Sequence, residues 1–190
     1  MSAEFADFAL TPEQQAALEA HLDLLMRWNQ KLNLTAIRNR EEAIARHYGE
    51  SLFLGSRLPV GALRIADVGS GAGFPGFPVA ILRPDCQVTL IESHQRKAVF
   101  LREASRGISN VRVLAKRAED VGETFDWVIS RAVSYPDLAP FLKNLAPNAD
   151  LLGGVERPPE SLGFEWDDPV PVPSGNQRYQ WTGRRLPGIS

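Results

Sequence analysis

Only one cysteine, Cys86, occurs among the 190 residues, so no disulfide can close within the chain and no cysteine-based metal site can form. Histidine is almost as scarce. His21, His47 and His94 form no metal-ligand spacing. Long apolar runs are missing as well: no window approaches the roughly 18 uninterrupted apolar residues of a membrane span, and the first thirty residues lack the basic start and apolar stretch of an export signal. Internal repeats and low-complexity linkers are absent. A content of 44% hydrophobic and 23% charged residues excludes intrinsic disorder, collagen-like repeats and coiled-coil rods. These absences predict a soluble, cytoplasmic protein with no metal and no membrane partner, built as one compact unit with a small extension, and a monomer is its expected state.

A strong charge of one sign is also lacking, since the formal net charge is −2. That bulk value speaks weakly against a partner as acidic as nucleic acid, but the distribution is uneven. Residues 1–26 carry acids and no Lys or Arg, and residues 156–168 are acidic too. Between them, Arg27, Lys31, Arg38, Arg40 and Arg46 face only Glu41 and Glu42. Residues 94–117 carry Arg96, Lys97, Arg102, Arg106, Arg112, Lys116 and Arg117 against Glu103 alone. Ordinary solvated helix faces explain such runs. A basic surface for a polyanion such as nucleic acid, made by Arg27, Lys31, Arg38, Arg40, Arg96 and Lys97, is the sharper expectation.

Thr11-Pro12-Glu13-Gln14 starts a helix by its grammar: a hydroxyl cap, proline at the first position, and Gln14 placed to return a capping-box bond. Leu18, Leu22, Leu25, Trp28 and Leu32 then mark one buried stripe, and a second helical stretch covers about 40 to 56. From Leu63 the pattern changes to short apolar runs, 63–68, 87–92, 111–115, 125–130 and 150–155, alternating with helical stretches to about 82, at 95–105 and at 136–145. This alternation predicts an α/β, Rossmann-like, doubly wound sheet of mostly parallel strands. Val170 to Pro173, the turn residues Ser174-Gly175-Asn176, and Tyr179 to Trp181 predict a final antiparallel hairpin. The division is a helical extension over 1–60 and a core over 61–190.

Asp67-Val68-Gly69-Ser70-Gly71-Ala72-Gly73-Phe74-Pro75-Gly76 follows the first strand, where such a sheet binds its ligand. Glu92, 23 residues after Gly69, ends the second strand at the position of a ribose-binding carboxylate. Two frames fit. Gly71, Gly73 and Gly76 read as the G-x-G-x-x-G of a dinucleotide site, a weak match alone. Read from Asp67, the acid-x-G-x-G-x-G frame suits a ligand without pyrophosphate, because Asp67 would repel phosphate and attract the ammonium of a methionine moiety. S-adenosylmethionine is the favoured cofactor, with Asp67, Gly69, Gly71, Gly73 and Glu92 around it.

The ordered set Trp28-Asn29, Asn33-Leu34-Thr35, Arg46-His47, Glu50-Ser51, the glycine loop with Phe74-Pro75-Gly76, Ile91-Glu92-Ser93, Arg96-Lys97, Phe100-Leu101, Arg117-Ala118-Glu119 and Ser130-Arg131-Ala132 resembles the bacterial glucose-inhibited division protein B family over about residues 11 to 155. The resemblance implies a class I methyltransferase fold and transfer to N7 of one guanine in the 16S RNA of the small ribosomal subunit. It implies that Gly69 and Phe74 line the cofactor pocket, that Ala118 and Glu119 flank the adenine, that Glu92 binds the ribose, and that Arg131 closes the site as a catalytic positioning group. There are departures. Gly153-Gly154 stands where the family shows Lys-Gly, Glu50 where it shows Asp, and Arg157-Pro158-Pro159 where it has a helix.

Among the remaining residues, His47 reads as a packing or hydrogen-bonded histidine rather than a base, and His21 and His94 have no suitable partner in the sequence. Trp28 reads as core, and Asn29, Asn33 and Thr35 as capping groups. Tyr135 stacks on a base or packs a helix start. Two rival functions remain at this point: a non-catalytic RNA-binding relative with an idle pocket, and a nicotinamide-dependent oxidoreductase, for which the 98 residues after Glu92 leave little room.

Overall fold

The first helix, α1 (Pro12–Leu32), begins with the expected reciprocal cap: Gln14 N donates to Thr11 Oγ1 and Thr11 N donates to Gln14 Oε1. The computed structural model describes residue 5, residues 8–173 and residues 177–188. Leu18, Leu22 and Leu25 are fully buried, while Trp28 and Leu32 lie half-buried at the far end of the stripe. Asn33 ends the helix in the left-handed region, φ 48°. The second helical stretch is not uniform. It runs as α2 (Arg40–Ala43), a π-helical turn (Ile44–Gly49) and α3 (Glu50–Arg57). His47 and Tyr48 of the wider turn and Glu50 and Ser51 directly after it are buried together, and π turns are frequent at functional sites.

Among the described residues eight strands form one sheet: β1 (Arg64–Val68), β2 (Gln87–Ile91), β3 (Val111–Leu114), β4 (Trp127–Arg131), β5 (Asn148–Gly153), β6 (Phe164–Trp166), β7 (Val170–Pro171) and β8 (Tyr179–Arg185). Its order is β3-β2-β1-β4-β5-β8-β6, with β7 also paired to β8. The first five strands are parallel, joined through α4 (Gly76–Leu82), α5 (Gln95–Ala104), α6 (Tyr135–Leu138) and α7 (Leu142–Leu145). β8 runs antiparallel to both β5 and β6. Val68 lies opposite Ile91 on one side and Ser130 on the other, so the loops after β1, β2 and β4 leave at one edge. That edge is where open α/β sheets bind ligands.

Two differences from the sequence reading have plain causes. The single helix expected over 136–145 is two short ones, because Pro140 has no N–H to continue the ladder and Phe141 leaves the helical region at φ −133°. Three-residue β6 was not expected at all. The pairing of Val170 with Gln180 agrees with the expected hairpin, whose turn at Ser174-Gly175-Asn176 lies outside the described residues. Apolar residues of the first sixty share one cluster with the sheet: Leu18, Leu22, Leu52 and Leu54 pack in the same core as Ile65, Val88 and Leu90. The opposite face is filled from α6, α7 and β6 by Leu138, Leu142, Phe164 and Trp166.

Candidate cofactor and acceptor site

The segment after β1 is tied down almost residue by residue. Gly69 and Ser70 N donate to Ile91 O at 3.0 and 3.1 Å, Gly71 N donates to Glu92 Oε2 at 2.8 Å, and Gly76 N donates to Asp67 Oδ2 at 2.8 Å. Gly69 has φ +68°, and a Cβ there would stand 2.6 Å from Val133 Cγ2. Gly76 is required by space instead: its Cβ would lie 2.4 Å from Leu90 Cδ2 and 2.6 Å from Asp67 Oδ2. Replacing Gly76 by Ala is therefore expected to cost about 2 kcal/mol, in the range for overpacking a dense interior. A thermal melt of the variant coinciding with the parent would contradict this close approach.

Asp67 is fully buried, with Oδ2 held by Ser70 Oγ and Gly76 N, while Oδ1 has no partner among the described residues. Burial raises its pKa to about 7. Its carboxyl thus shapes the loop from beneath. The N–H that opens α4 is already taken by Asp67 and does not await a phosphate. Glu92 accepts from Gly71 N at Oε2 and from His94 N at Oε1, both at 2.8 Å, and is largely buried. Each oxygen keeps a second lone pair for a hydroxyl.

Two cavities open at this edge. The smaller, about 270 Å³, lies between Gly69, Ile91 and Ser93 on one side and Ala118, Glu119 and Phe141 on the other. The larger, about 700 Å³, is bounded by Arg131, Tyr135, Gly153, Glu156 and Arg178. Val133 and Pro136 belong to both walls, so the cavities adjoin. Phe74 lies elsewhere: it is buried beneath the helical layer, stacked on His47 at 4.7 Å, edge-on to Tyr48 and His21, with the Arg131 guanidinium 5.6 Å from its ring centre. Gly71 and Gly73, with φ +59° and +97°, form the turn between loop and helix.

Arg131 is fixed on three sides. It donates to Arg46 O at 3.0 Å, to Glu50 Oε2 at 3.4 Å and to His47 Nδ1. A guanidinium only donates, so Nδ1 accepts, and the proton sits on Nε2, which donates to Thr35 Oγ1 at 2.7 Å. Burial and the adjacent guanidinium push His47 down to about 3. It is a hydrogen-bonded relay in the packing, as its sequence context implied. Directly after Arg131 the chain turns at Ala132, whose φ of 60° is rare outside glycine.

Sequence reasoning missed Arg178, which binds Glu50 through Nη2 at 2.8 Å and Nε at 3.2 Å. The two lie 128 residues apart, and no local pattern connects them. It also left His21 without a partner; the structure gives it two, Tyr48 and Ala72. Its position three residues after Leu18 on the apolar stripe was the available signal. Of the basic residues, Arg27, Lys31 and Arg96 are exposed and Lys97 is half-buried. Arg38 donates to Asn33 Oδ1 at 2.9 Å and Arg40 pairs with Asp23 at 2.6 Å. Among the described residues no cluster of three or more His, Cys, Asp or Glu is placed to hold a metal, and no helix is long and apolar enough to cross a membrane.

The strand order, with an antiparallel β8 inserted beside β5, and the glycine loop at the β1 edge define the Rossmann-like fold of class I methyltransferases. Solved structures agree: a SAM-dependent methyltransferase from Aquifex aeolicus aligns with TM-score 0.61 at 16% identity over 76% of this chain and 93% of that one. Magnesium protoporphyrin IX methyltransferase from Synechocystis PCC 6803, solved with bound SAH, aligns with TM-score 0.64 at 11% identity over 87% and 100%. Within that class the chain belongs to the GidB family, described as rRNA small subunit methyltransferase G, whose profile matches residues 14–150. Proteins named ribosomal RNA small subunit methyltransferase G are similar to it. The one from Nitrosospira multiformis is 47% identical over 140 residues, 71% of this chain and 62% of the relative. The one from Chromobacterium violaceum is 44% identical over 138 residues, 70% and 65%. The matched region thus spans just under two thirds of these relatives' length.

Proposed function

We propose that the chain transfers the methyl group of S-adenosylmethionine to N7 of a guanine in 16S ribosomal RNA within the small ribosomal subunit, in the cytoplasm. The observation that carries this reading is the pair of adjoining cavities, one bordered by Gly69 of the glycine loop and one lined by Arg131 and Arg178. Family membership supports it. The smaller cavity's residues fit the cofactor: Ala118, Glu119 and Ile91 offer a slot for adenine, Glu92, between the lining residues Ile91 and Ser93 in the chain, has lone pairs for ribose hydroxyls, and Gly69 lets the backbone approach closely. Asp67 acts through the loop it holds, together with Gly71 and Gly73. Its occupation of the α4 N–H favours this ligand over one with a pyrophosphate.

When bound, the cofactor supplies an electrophilic methyl group. Guanine N7 carries a lone pair and no proton at neutral pH, so no side chain has to act as a base. That accords with His47, which is neutral and has both ring nitrogens engaged. The chain's task is alignment, worth as much as roughly 7 to 11 kcal/mol in well-oriented systems. Arg131, clamped by His47, Glu50 and Arg46 O, lines the larger cavity where it can donate to guanine O6. Tyr135, whose hydroxyl donates to Glu156 O at 2.9 Å, provides an aromatic wall for the base. Arg27, Lys31, Arg38, Arg40, Arg96 and Lys97 serve phosphates.

The test is transfer of labelled methyl to small subunits lacking the modification, followed by identification of the nucleoside. S-adenosylmethionine at a hundredfold excess over Kd should stabilise the fold by roughly 2.7 kcal/mol, and NAD should not. RNA affinity should fall with salt at a log–log slope of about −0.7 to −0.9 per phosphate contact. Stabilisation by NAD alone overturns the cofactor. Cofactor binding without any transfer at low salt favours an RNA-binding protein with an idle pocket, and makes Gly153→Lys the first restoration.

A further inference from the structure

Most ties on the glycine loop come from the sheet beneath it, through Ile91, Glu92 and Asp67. One comes from the helical layer. His21, in the middle of α1 and 2% exposed, has Nε2 3.0 Å from Ala72 O and Nδ1 2.5 Å from Tyr48 Oη. A carbonyl can only accept, so Nε2 carries the proton and Nδ1 accepts from the tyrosine hydroxyl. Both ring nitrogens are thereby assigned, and the ring is held flat against Phe77 at 4.2 Å with a 19° tilt and edge-on to Phe74 at 5.4 Å. The loop in turn sits close on the imidazole: a Cβ at Gly73 would lie 3.2 Å from His21 Nε2.

We propose that His21 is a positioning residue for cofactor binding: by donating to Ala72 O it fixes the peptide between Gly71 and Gly73, and so holds the loop in its ligand-binding shape. The inference rests on the reading that this loop takes S-adenosylmethionine. Ala72 is flanked by two glycines in the left-handed region, which tolerate more than one backbone conformation. The peptide that follows it is held at its N–H by Ser70 O at 2.8 Å and at its carbonyl by His21, so losing His21 leaves that peptide held at one end only. Burial pushes the imidazole down to about 3, consistent with a neutral ring that keeps one donor and one acceptor at physiological pH. His21 touches no part of either cavity, so its effect belongs to loop geometry and cofactor affinity rather than to methyl transfer itself.

Two substitutions separate this role from packing. His21→Phe keeps an aromatic ring on Phe77 and loses both polar bonds. His21→Gln loses the ring and keeps an amide N–H able to reach Ala72 O. Calorimetry with S-adenosylhomocysteine, steady-state kinetics and thermal melting are measured on all three proteins. His21→Phe should weaken the Kd by about tenfold, the scale of one unpaired buried carbonyl. It should raise KM for S-adenosylmethionine by a similar factor and leave kcat within about twofold. His21→Gln should melt lower than the Phe variant and yet bind the ligand more tightly than it. That inversion marks a positioning role. If affinity instead follows melting temperature, with Phe the better binder, the proposal is overturned and His21 is core packing. Should the Phe variant not fold, a Gln variant within threefold of the parent Kd supports the role, and a loss of tenfold or more overturns it. If the parent protein binds neither cofactor form, both this inference and the cofactor reading fall, whereas parent binding with unchanged variants removes only His21.

Discussion

Replacing Glu50 by Gln is expected to destabilise the fold by about 3 to 5 kcal/mol, the cost of leaving buried charge without its partner. Glu50 is 1% exposed and is the carboxylate shared by Arg178, at 2.8 and 3.2 Å, and Arg131, at 3.4 Å. Both guanidiniums are themselves mostly covered, with side chains 13% and 28% exposed. A neutral amide of the same size keeps the packing and removes the charge, leaving two cations facing each other. Glu50→Asp keeps the charge but shortens the reach, and should lose less. The measurement is the denaturant midpoint at constant m-value, with the Arg178→Gln and double variants completing a cycle. A loss below 1 kcal/mol for Glu50→Gln would place the cluster with solvent-screened surface pairs and refute the account of the site given above.

The second large effect concerns pH, where four buried groups act in opposing pairs. His21 and His47 are lowered to about 3, mainly by burial, and the unfolded chain protonates them near 6.5. Their contribution to stability is present above 6.5 and is lost as pH falls. Asp67 and Asp150 are raised to about 7, again mainly by burial, against 3.8 in the unfolded chain. Their contribution is present below 3.8 and is lost as pH rises through 7. Between 3.8 and 6.5 the two pairs cancel. Asp150→Asn breaks the balance without touching the cofactor loop, since among the described residues the Asp150 carboxyl accepts from Gln180 and Thr182 on the neighbouring strand and an amide oxygen can accept from both. The stability difference between parent and variant should then change by about 3 kcal/mol between pH 6.5 and 4, the variant losing ground in acid. Exposed carboxylates are common to both proteins and drop out of that difference. Parallel stability curves would show that Asp150 ionises normally within the fold.

The parallel sheet, the first helix and the ligand-binding edge were legible because each rests on local pattern. Thr11 to Gln14 announces a helix start, and Asp67 to Gly76 places a glycine loop at a strand end wherever it is met. What escaped was set by distance or by length. The partnership of Glu50 with Arg178 joins an N-terminal helix to the last strand's approach. His21 acquires its meaning only when Ala72 is folded against it. The π turn over Ile44–Gly49 leaves no mark in residue type, and Phe164 to Trp166 is too short an alternation to announce a strand. Glu92 illustrates a partial reading: its place at the end of β2 was visible, but its bonds to Gly71 and His94 were not. Removing it therefore loosens the loop as well as the proposed ribose contact.

The position of β8 between β5 and β6 bears on how the chain matures. β6 and β7 precede β8 in the chain and, among the described residues, pair with it alone, so when first synthesised they have nothing to join. Until residues 179–185 emerge, β5 presents six residues of open backbone edge, a template for another chain. Arg178 arrives with the same strand, so Glu50 first gains its closest cation at the moment the edge is sealed. Released chains truncated after Arg178 should accordingly be caught by chaperones that bind unpaired strands, while chains that include β8 through Arg185 should not.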